Sequence, residues 1–433
     1  MEVKPATVIR GAARVPGDKS ISHRLAMLAS IAEGETTVHN FAESADCAST
    51  LDCLRRLGVR IRQEGATVRI EGRGLHGLEA PARELDAGNS GTTVRLMSGI
   101  LAGQAFESTF IGDASLSRRP MRRIIEPLTC FGASLSARND NYLPLTIRGG
   151  ALSAIDYALP VASAQVKSAV LFAGLLAQGV TRIREPEASR NHTEIALREF
   201  GAHLNSRPLP PPKIGGSAVI EVEGGAPLRG GVFTVPGDVS SASFLIAAAA
   251  GIPGSTIRLR DVGVNPTRSG FLSLLERMGA QLRIEPSGIS RGEAVADILV
   301  EGSELAGIEV GGQWIPNVID EIPVLAVLAT RTRDGIRIRD AGELRAKETD
   351  RIAAVAANLN VLGVHVDEFP DGLFVPGGQT LKGGTVDSFD DHRIAMAFAV
   401  GGLFAADSVR IRNASCVGIS FPGFFEVLQA LTG

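Results

Sequence analysis

Residues 15–20 read Val-Pro-Gly-Asp-Lys-Ser, and residues 235–240 read Val-Pro-Gly-Asp-Val-Ser. Each copy is followed by an apolar run, at 25–31 and at 244–250, and then by a β-branched stretch, at 36–38 and at 255–257. A glycine lies after each apolar run, as is common where helices end. The two copies therefore predict the same turn–helix–strand unit at two positions of the chain.

Helix and strand signals in the same order return at 91–133, 163–202 and 319–364, and a shortened copy begins at His392. These make about six units, and their period of roughly 70–80 residues exceeds that of common solenoid repeats. Six units are compatible with a solenoid or with two globular domains of three. The duplicated Val-Pro-Gly-Asp favours two domains, with the chain crossing between them near Pro16 and Pro236.

These crossings define the expected domains. Residues 16–235 form the N-terminal domain, and residues 1–15 and 236–433 form the C-terminal domain. A first strand, expected over residues 3–14, then belongs to the C-terminal domain. Residues 206–215 are rich in proline, which predicts an exposed loop rather than a linker.

The composition excludes two classes of partner. The 433 residues carry 44 Lys and Arg against 47 Asp and Glu, a net charge of −3, and 5% of them are aromatic. Neither a global basic field nor a base-stacking surface is expected, and so no nucleic-acid partner. The longest apolar run falls far short of the roughly 20 residues that span a bilayer, so no membrane partner is expected either.

The cysteines and the first residues bear on location. The cysteines lack the spacing of a zinc site, so we expect no metal, and free thiols in a reducing compartment. They are Cys47, Cys53, Cys130 and Cys416. The stretch from Met1 to Pro5 contains no apolar signal core, and the expected location is cytoplasmic.

Most copies of the unit carry polar or charged residues where the first helix begins. Helix N-termini bind anions through free N–H groups and the macrodipole. Ser20 or Asn89, taken alone, is more typical of a plain N-cap. Lys19 and Arg24 oppose the dipole of an otherwise apolar helix, so they need another reason, such as a bound anion.

Two charged stretches leave alternatives open. Residues 115–123 contain four arginines, which form either a solvated basic face or an anion site. In 343–351, Lys347 and Arg351 have the spacing of one helix face. That stretch is either a salt-bridged surface helix, or it places Glu348 with Asp320 as an acid/base pair among phosphate-binding cations.

Six stretches, taken together and in this order, resemble the 5-enolpyruvylshikimate-3-phosphate synthase family over essentially the full length. They are Pro-Gly-Asp-Lys-Ser-Ile-Ser-His-Arg (16–24), Asn-Ser-Gly-Thr-Thr-Val-Arg-Leu (89–96), Gly-Asp-Ala-Ser-Leu-Ser-Arg-Arg-Pro-Met (112–121), Ser-Ala-Gln-Val-Lys-Ser-Ala (163–169), Arg-Ala-Lys-Glu-Thr-Asp-Arg (345–351) and Asp-Asp-His-Arg-Ile-Ala-Met (390–396). The resemblance implies an α/β (α+β) fold: a two-domain inside-out α/β barrel of six βαβαββ repeats, three per domain. It also implies a monomer that needs no metal and no organic cofactor.

The activity implied by the resemblance is transfer of the enolpyruvyl group of phosphoenolpyruvate to the 5-hydroxyl of 3-phosphoshikimate. Phosphate leaves by addition–elimination, in the shikimate pathway to chorismate and aromatic amino acids. Asp320 would take the proton of the 5-hydroxyl, Glu348 would give and remove the proton at C3, and Lys19 would assist proton transfer.

The substrate contacts are implied in the same way. The 3-phosphoshikimate ligands would be Lys19, Ser20, Arg24, Ser163, Gln165, Ser189, Arg190, Asp320 and Lys347. The phosphoenolpyruvate ligands would be Lys19, Asn89, Gly91, Arg119, Gln165, Arg351, His392 and Arg393.

Two departures from the family pattern and one inhibitor expectation follow. Ala164 stands where some members have a second serine, and 418–422 lacks a lysine that some members carry, so one hydroxyl and one cation are missing or supplied elsewhere. The herbicide glyphosate occupies the phosphoenolpyruvate site in this family. A side chain at Gly91 would crowd that site, so we expect sensitivity to glyphosate.

Two other functions are weighed against this one. The sister transferase that acts on UDP-N-acetylglucosamine begins its first helix with Lys-Asn and carries a loop cysteine. Here Ser20 follows Lys19, and 112–123 contains no cysteine. A non-catalytic anion-binding repeat module would keep the arginines but have no use for Asp320 and Glu348.

Overall fold

The computed structural model describes residues 1–208 and 217–433. The chain forms two compact units. Unit 1 consists of Met1–Pro16, Pro236–Ile289 and Ala294–Gly433, and unit 2 consists of Gly17–Val235 and Ser290–Glu293. Among the helices described, none is long and apolar enough to cross a membrane.

The strands are short, most of them two to six residues long. They are β1 (Glu2–Val3), β2 (Arg10–Arg14), β3 (Glu35–His39), β4 (Arg60–Glu64), β5 (Thr67–Glu71), β6 (Leu85–Asp86), β7 (Glu107–Ile111), β8 (Ser134–Arg138), β9 (Tyr142–Arg148), β10 (Leu152–Ser153), β11 (Asp156–Ala158), β12 (Ala177–Gln178), β13 (Val180–Glu185), β14 (Leu204–Pro208), β15 (Ala218–Glu223), β16 (Val232–Thr234), β17 (Thr256–Gly263), β18 (Gln281–Ser290), β19 (Glu293–Glu301), β20 (Ile308–Val310), β21 (Ile336–Ile338), β22 (Asp367–Phe369), β23 (Gly372–Val375), β24 (Gly384–Asp387) and β25 (Val409–Arg412).

The α-helices alternate with these strands along the chain. They are α1 (Lys19–Ser30), α2 (Ala45–Arg56), α3 (Gly91–Ala102), α4 (Arg122–Cys130), α5 (Ala164–Leu176), α6 (His192–Glu199), α7 (Val239–Ala250), α8 (Gly270–Arg277), α9 (Ile315–Val318), α10 (Ile322–Leu328), α11 (Arg351–Val361), α12 (His392–Phe404) and α13 (Phe424–Thr432).

Unit 2 contains three four-stranded sheets of one pattern, in the orders β16-β3-β5-β4, β6-β7-β9-β8 and β11-β13-β15-β14. In each sheet the first two strands are parallel, and the remaining pairs are antiparallel. A parallel pair needs a crossover connection, which α3 and α5 supply in the second and third sheets. The sheets therefore alternate with helices as the sequence pattern predicts.

Unit 1 repeats the pattern with two four-stranded sheets, β18-β19-β17-β2 and β20-β21-β23-β22, and a three-stranded sheet, β1-β25-β24. The pairs β2–β17, β20–β21 and β24–β25 are parallel. The strand before α1 is β2, and it belongs to a sheet of unit 1. The strand before α7 is β16, and it belongs to a sheet of unit 2. At each copy of Val-Pro-Gly-Asp, the chain thus passes from a strand of one unit to a helix of the other unit.

Each unit has its own apolar core. In unit 2 the core includes Leu28, Phe110 and Phe172, and in unit 1 it includes Phe244 and Phe398. Every residue of α7 and of α12 is buried. A helix that is apolar on all sides must be surrounded by protein, so these helices lie inside unit 1.

Two local predictions are wrong or incomplete. The strand expected over residues 3–14 is two strands, because β1 pairs with β25 while β2 pairs with β17, and the intervening residues pass between sheets. Of the loop expected over 206–215, residues 206–208 belong to β14, which pairs with β15. The rest of that prediction, 209–215, lies outside the described residues.

Candidate active site

The N-terminus of α1 presents the first cations of unit 2. Asp18 caps this helix, because its side chain accepts a hydrogen bond from the Ile21 N–H at 2.9 Å. The interpretation of Ser20 as a cap is therefore wrong, and Ser20 lies within the first turn. The Lys19 Nζ lies 2.8 Å from Asp46 Oδ2, with the lysine side chain 19% exposed.

Arg24 is buried and joins three helices of unit 2. Its Nη1 donates to the Ser20 carbonyl at 2.8 Å, its Nη2 to Ser168 Oγ at 2.9 Å and its Nε to Thr193 Oγ1 at 2.6 Å. Burial lowers the pKa of the guanidinium to about 10, against the opposing charge of Glu194. Arg24 therefore stays charged at neutral pH while its hydrogen-bond acceptors are neutral oxygens.

His23 connects α1 to the start of α3. Its Nδ1 lies 2.7 Å from Thr50 Oγ1, which lies 2.6 Å from Thr93 Oγ1, and Thr93 Oγ1 donates to Ser90 Oγ at 2.7 Å. Burial, together with the charges of Lys19 and Arg24, holds the pKa of His23 well below its ordinary value. The imidazole is therefore neutral in the folded protein.

The start of α3 is capped by Ser90, whose side chain accepts from the Thr93 N–H at 3.2 Å. The interpretation of Asn89 as the cap is therefore wrong. The Asn89 carbonyl and Oδ1 accept from Arg119 at 3.3 and 2.7 Å instead. The same guanidinium donates to Ser115 Oγ at 3.1 Å, so it is fixed beside the first residue of the helix, Gly91.

Gln165 is held by groups that the sequence analysis missed. Its Oε1 accepts from Arg95 Nη1 at 2.9 Å and lies 3.5 Å from Arg123 Nη2, while its Nε2 donates to Thr92 Oγ1 at 3.2 Å. Ser163 caps α5, the helix that carries Gln165. The spacing of Arg95, four residues after Gly91, is the signal that would have found it, since residues four apart share a helix face.

The loop with Ser189 and Arg190 is fixed by a buried lysine. Lys167 Nζ lies 3.0 Å from Glu185 Oε2 and 2.8 Å from Glu194 Oε1, and it donates to the Ser189 carbonyl at 3.3 Å. Glu185 accepts from the Ser189 N–H at 2.9 Å and from its hydroxyl. Burial raises the pKa of Glu185, with the charge of Lys167 opposing the shift.

Unit 1 gathers its predicted residues around Asp320, which lies between α9 and α10. Its carboxylate lies 3.5 Å from Arg351 Nη1, 3.9 Å from Lys347 Nζ and 3.9 Å from Arg393 Nη2. Arg393 Nη1 also donates to the Asp320 carbonyl at 3.1 Å. Three of the predicted cations, from different segments, thus lie around one carboxylate.

Arg351 is the most heavily bonded of these cations. It is the first residue of α11, and it donates to both oxygens of Asp391, at 2.7 and 3.3 Å, and to Glu348 Oε2 at 2.6 Å. Burial alone would lower the pKa of Arg351, but the charges of Asp391 and Glu348 outweigh it and raise the pKa above its ordinary value. The guanidinium therefore links Glu348 to Asp320.

One local prediction fails in this stretch. Lys347 and Arg351 do not share a helix face, because a 3₁₀ turn ends at Ala346, Lys347 is extended, and α11 begins only at Arg351 behind its cap, Asp350. The two cations nevertheless contact the same carboxylate. Lys347 Nζ also lies 3.8 Å from Glu343 Oε1.

The start of α12 supplies the last predicted residues. Asp391 caps the helix by accepting from the Arg393 N–H at 2.8 Å, and His392 is its first residue and 2% exposed. Asp391 was missed by the sequence analysis, although it stands beside His392 in the motif. In the described ranges no group of three or more His, Cys, Asp or Glu side chains is placed to hold a metal ion.

Unit 2 thus contains a cluster of cations, and unit 1 contains a mixed cluster of carboxylates and cations. The model of the EPSP synthase (3-phosphoshikimate 1-carboxyvinyltransferase) family matches residues 3–428. The chain belongs to this family. The chain is therefore related to enzymes, and the family predicted from the six motifs is confirmed.

Individual relatives cover nearly the whole chain. A 3-phosphoshikimate 1-carboxyvinyltransferase of Solibacter usitatus is 52% identical over 429 residues, 99% of each chain. One of Brevibacillus brevis is 48% identical over 433 residues, 100% of each chain. Among solved structures, EPSP synthase from Acinetobacter baumannii matches with a TM-score of 0.86 and 41% identity, covering 99% of this chain and 97% of that one. The mixed α/β, two-domain fold of this EPSP synthase family member is thereby established.

Proposed function

We propose that this chain transfers the enolpyruvyl group of phosphoenolpyruvate to the 5-hydroxyl of 3-phosphoshikimate and releases phosphate, as its family membership indicates. The observation that carries the chemistry is the pair of carboxylates on one guanidinium. Arg351 contacts Asp320 at 3.5 Å and Glu348 at 2.6 Å. Two carboxylates beside cations that bind anions are what addition and elimination require.

In the addition step, the 5-oxygen of 3-phosphoshikimate forms a bond to C2 of phosphoenolpyruvate. The hydroxyl proton passes to Asp320, and Glu348 delivers a proton to C3, which becomes a methyl group. In the elimination step, Glu348 removes a proton from that methyl group, the C2–C3 double bond reforms, and phosphate leaves C2. Lys19 assists proton transfer, and neither step needs an oxidant or a cofactor.

We assign 3-phosphoshikimate to residues that are rich in hydroxyl and cationic donors. They are Lys19, Ser20, Arg24, Ser163, Gln165, Ser189 and Arg190 in unit 2, and Asp320 and Lys347 in unit 1. The support in unit 2 is that Arg24 is oriented by neutral acceptors, so that its charge remains to attract a phosphate.

We assign phosphoenolpyruvate to a second set, which shares Lys19 and Gln165 with the first. It consists of Lys19, Asn89, Gly91, Arg119 and Gln165 in unit 2, and Arg351, His392 and Arg393 in unit 1. Arginine suits this ligand, because its planar fork matches carboxylate and phosphate oxygens in a bidentate manner.

The finer fold description is also a proposal: an inside-out α/β barrel of six βαβαββ repeats, three per domain, with domains of 16–235 and of 1–15 with 236–433. Five four-stranded sheets, one three-stranded sheet and the buried helices α7 and α12 support it. We further propose a cytoplasmic monomer. The free thiols of Cys47, Cys53, Cys130 and Cys416 suit a reducing compartment.

The test is phosphate release from phosphoenolpyruvate by purified protein, with and without 3-phosphoshikimate. We expect release that depends on 3-phosphoshikimate. Release with UDP-N-acetylglucosamine instead would assign the chain the sister activity. If no phosphate is released with either acceptor, the proposed reaction is contradicted.

A further inference from the structure

A buried ion pair lies directly beside Asp320 in unit 1. Glu321 is 1% exposed, and both of its oxygens contact Arg268 Nη1, at 3.1 and 3.2 Å. Arg268 is itself 4% exposed. Burying two charges often brings no net stability relative to apolar side chains, so such a pair is better explained by specificity of arrangement than by stability.

Both partners of this pair reach groups of the proposed reaction. Arg268 Nη2 lies 4.0 Å from Asp320 Oδ2. On the other side, the Ser240 hydroxyl donates to Glu321 Oε1 and accepts from Arg393 Nη1 at 2.6 Å. A continuous chain of polar contacts therefore runs from Arg268 through Glu321 and Ser240 to Arg393, and both of its ends contact Asp320.

The loop that carries Arg268 is tied to the helix that precedes Asp320. The Arg268 N–H donates to the Asn265 carbonyl at 2.9 Å, which closes a turn. Asn317, in α9, donates to the Pro266 carbonyl at 2.9 Å and accepts from the Gly270 N–H at 3.0 Å. Because Asn317 precedes Asp320 by three residues, these hydrogen bonds fix the loop of Arg268 against the segment that carries Asp320.

We infer that Arg268, Glu321 and Ser240 are positioning residues, which fix the Asp320 carboxylate and the Arg393 guanidinium in the orientation that the reaction needs. This inference rests on the proposed roles of Asp320 and Arg393. Glu321 restrains the backbone next to Asp320, Arg268 restrains its carboxylate, and Ser240 transmits the same restraint to Arg393. Each acts through a neighbour rather than on substrate.

The first test replaces the pair by Arg268→Met/Glu321→Leu. This double variant leaves no unpaired buried charge, so it is expected to fold with a melting temperature close to that of the unmodified enzyme. Loosening a reacting group by about 1 Å can cost roughly a hundredfold in rate, and we expect kcat to fall about 10- to 100-fold with little change in the KM for 3-phosphoshikimate. Arg268→Lys, which keeps a charge, should recover part of the lost kcat.

A control removes another arginine–glutamate pair of unit 1, which is partly exposed rather than buried. Arg258 and Glu285 lie 2.8 Å apart in the sheet of β17 and β18, and Arg258→Met/Glu285→Leu should keep the unmodified kcat. A folded Arg268→Met/Glu321→Leu variant with full kcat would overturn the inference.

The second test does not depend on removing a buried charge. Ser240→Ala keeps the Arg268–Glu321 pair but removes the hydroxyl that bridges Glu321 and Arg393, which leaves only the direct contact of 3.8 Å between Arg393 Nη1 and Glu321 Oε1. We expect the KM for phosphoenolpyruvate to rise about 3- to 10-fold, as for loss of a hydrogen bond of ordinary strength, because Ser240 acts on Arg393 and not on the substrate. An unchanged KM for phosphoenolpyruvate in Ser240→Ala would overturn the connection to Arg393.

The two proposals fail in distinguishable ways. If the unmodified enzyme releases phosphate only with 3-phosphoshikimate while these variants behave like it, the positioning role is overturned and the proposed function stands. If the unmodified enzyme releases none, the proposed function is overturned and the positioning role with it.

Discussion

Arg24 in unit 2 donates to hydroxyl and carbonyl oxygens, whereas Arg351 and Arg268 in unit 1 contact carboxylates. A hydrogen bond to a neutral oxygen orients a guanidinium without cancelling its charge, so it leaves that charge to attract an anion. A guanidinium that pairs with a carboxylate instead fixes the position of that carboxylate, as Arg351 does for Glu348. From this difference we propose that unit 2 supplies charge for anion binding, whereas unit 1 supplies the two carboxylates for proton transfer beside its cations for phosphoenolpyruvate.

Two lysines of unit 2 are exceptions to this difference, because they pair with carboxylates. In unit 2, Lys167 is paired with Glu185 and Glu194, and it is fully buried. It holds the Ser189 loop rather than facing a ligand. Lys19, which is paired with Asp46 at 2.8 Å, is also the cation that we assign to proton transfer. The two lysines of unit 2 that pair with carboxylates therefore differ in role. Lys167 supports the structure of the Ser189 loop, and Lys19 is assigned to the chemistry.

The largest effect is expected at Glu348 in unit 1. Glu348→Gln keeps the size of the side chain and its contact with Arg351 but removes proton transfer. We expect kcat to fall about 10²- to 10⁴-fold, measured by phosphate release with both substrates saturating. Unchanged kcat together with weaker binding of 3-phosphoshikimate would show that Glu348 binds substrate, and it would contradict a role of Glu348 in proton transfer.

The next effect is expected at Arg24 in unit 2. Arg24→Gln can still bond Ser168 or Thr193, but it removes the charge. Loss of a charge-assisted hydrogen bond costs about 1.5–3 kcal/mol, so the Kd for 3-phosphoshikimate should rise about 10- to 100-fold. Arg283→Gln, at a side chain that is 72% exposed, is the control and should bind normally.

A smaller effect is expected at the start of α3. A Cβ on Gly91 would lie 3.0 Å from Arg95 Nη1, so Gly91→Ala must displace that side chain. Overpacking of about 1–3 kcal/mol in the phosphoenolpyruvate site would raise the inhibition constant of glyphosate about 5- to 100-fold. An unchanged inhibition constant would show that glyphosate does not approach Gly91.

The smallest effect is a pH dependence of the stability of unit 2. Because the pKa of His23 is well below 6.5 in the folded protein, the unfolded chain binds more protons, and stability is lost as pH falls below 6.5. The loss is about 1.4 kcal/mol per pH unit. His23→Asn should remove this part of the slope in denaturant titrations, whereas the exposed His39→Asn should not. Equal slopes in the unmodified protein and His23→Asn would contradict a neutral, buried His23.

Local patterns in the sequence predict the helices better than the strand partners. The helices α1 and α7 follow the two Val-Pro-Gly-Asp copies as predicted, because an apolar run followed by a glycine is a short-range signal. The strand expected over 3–14 is wrong for the opposite reason. Its two halves pair with β25 and β17, and no feature of residues 3–14 indicates partners so distant in the chain.

The same distinction applies to the site. The motif residues of unit 1 gather around Asp320 from two helix starts, and the sequence analysis marked the one at His392 but not the one at Arg351. The extended conformation of Lys347 could not be predicted, since charge spacing does not reveal a 3₁₀ turn that ends at Ala346. Arg268 could not be predicted either, because its contact depends on how the turn at Asn265 packs against α9.

The most direct measurement of the division between the units is a calorimetric titration of 3-phosphoshikimate into Glu348→Gln and Arg24→Gln side by side. We predict an unchanged Kd for Glu348→Gln and a Kd raised about 10- to 100-fold for Arg24→Gln. Equal losses of affinity in both variants, or a larger loss in Glu348→Gln, would contradict the assignment of anion binding to unit 2 and proton transfer to unit 1.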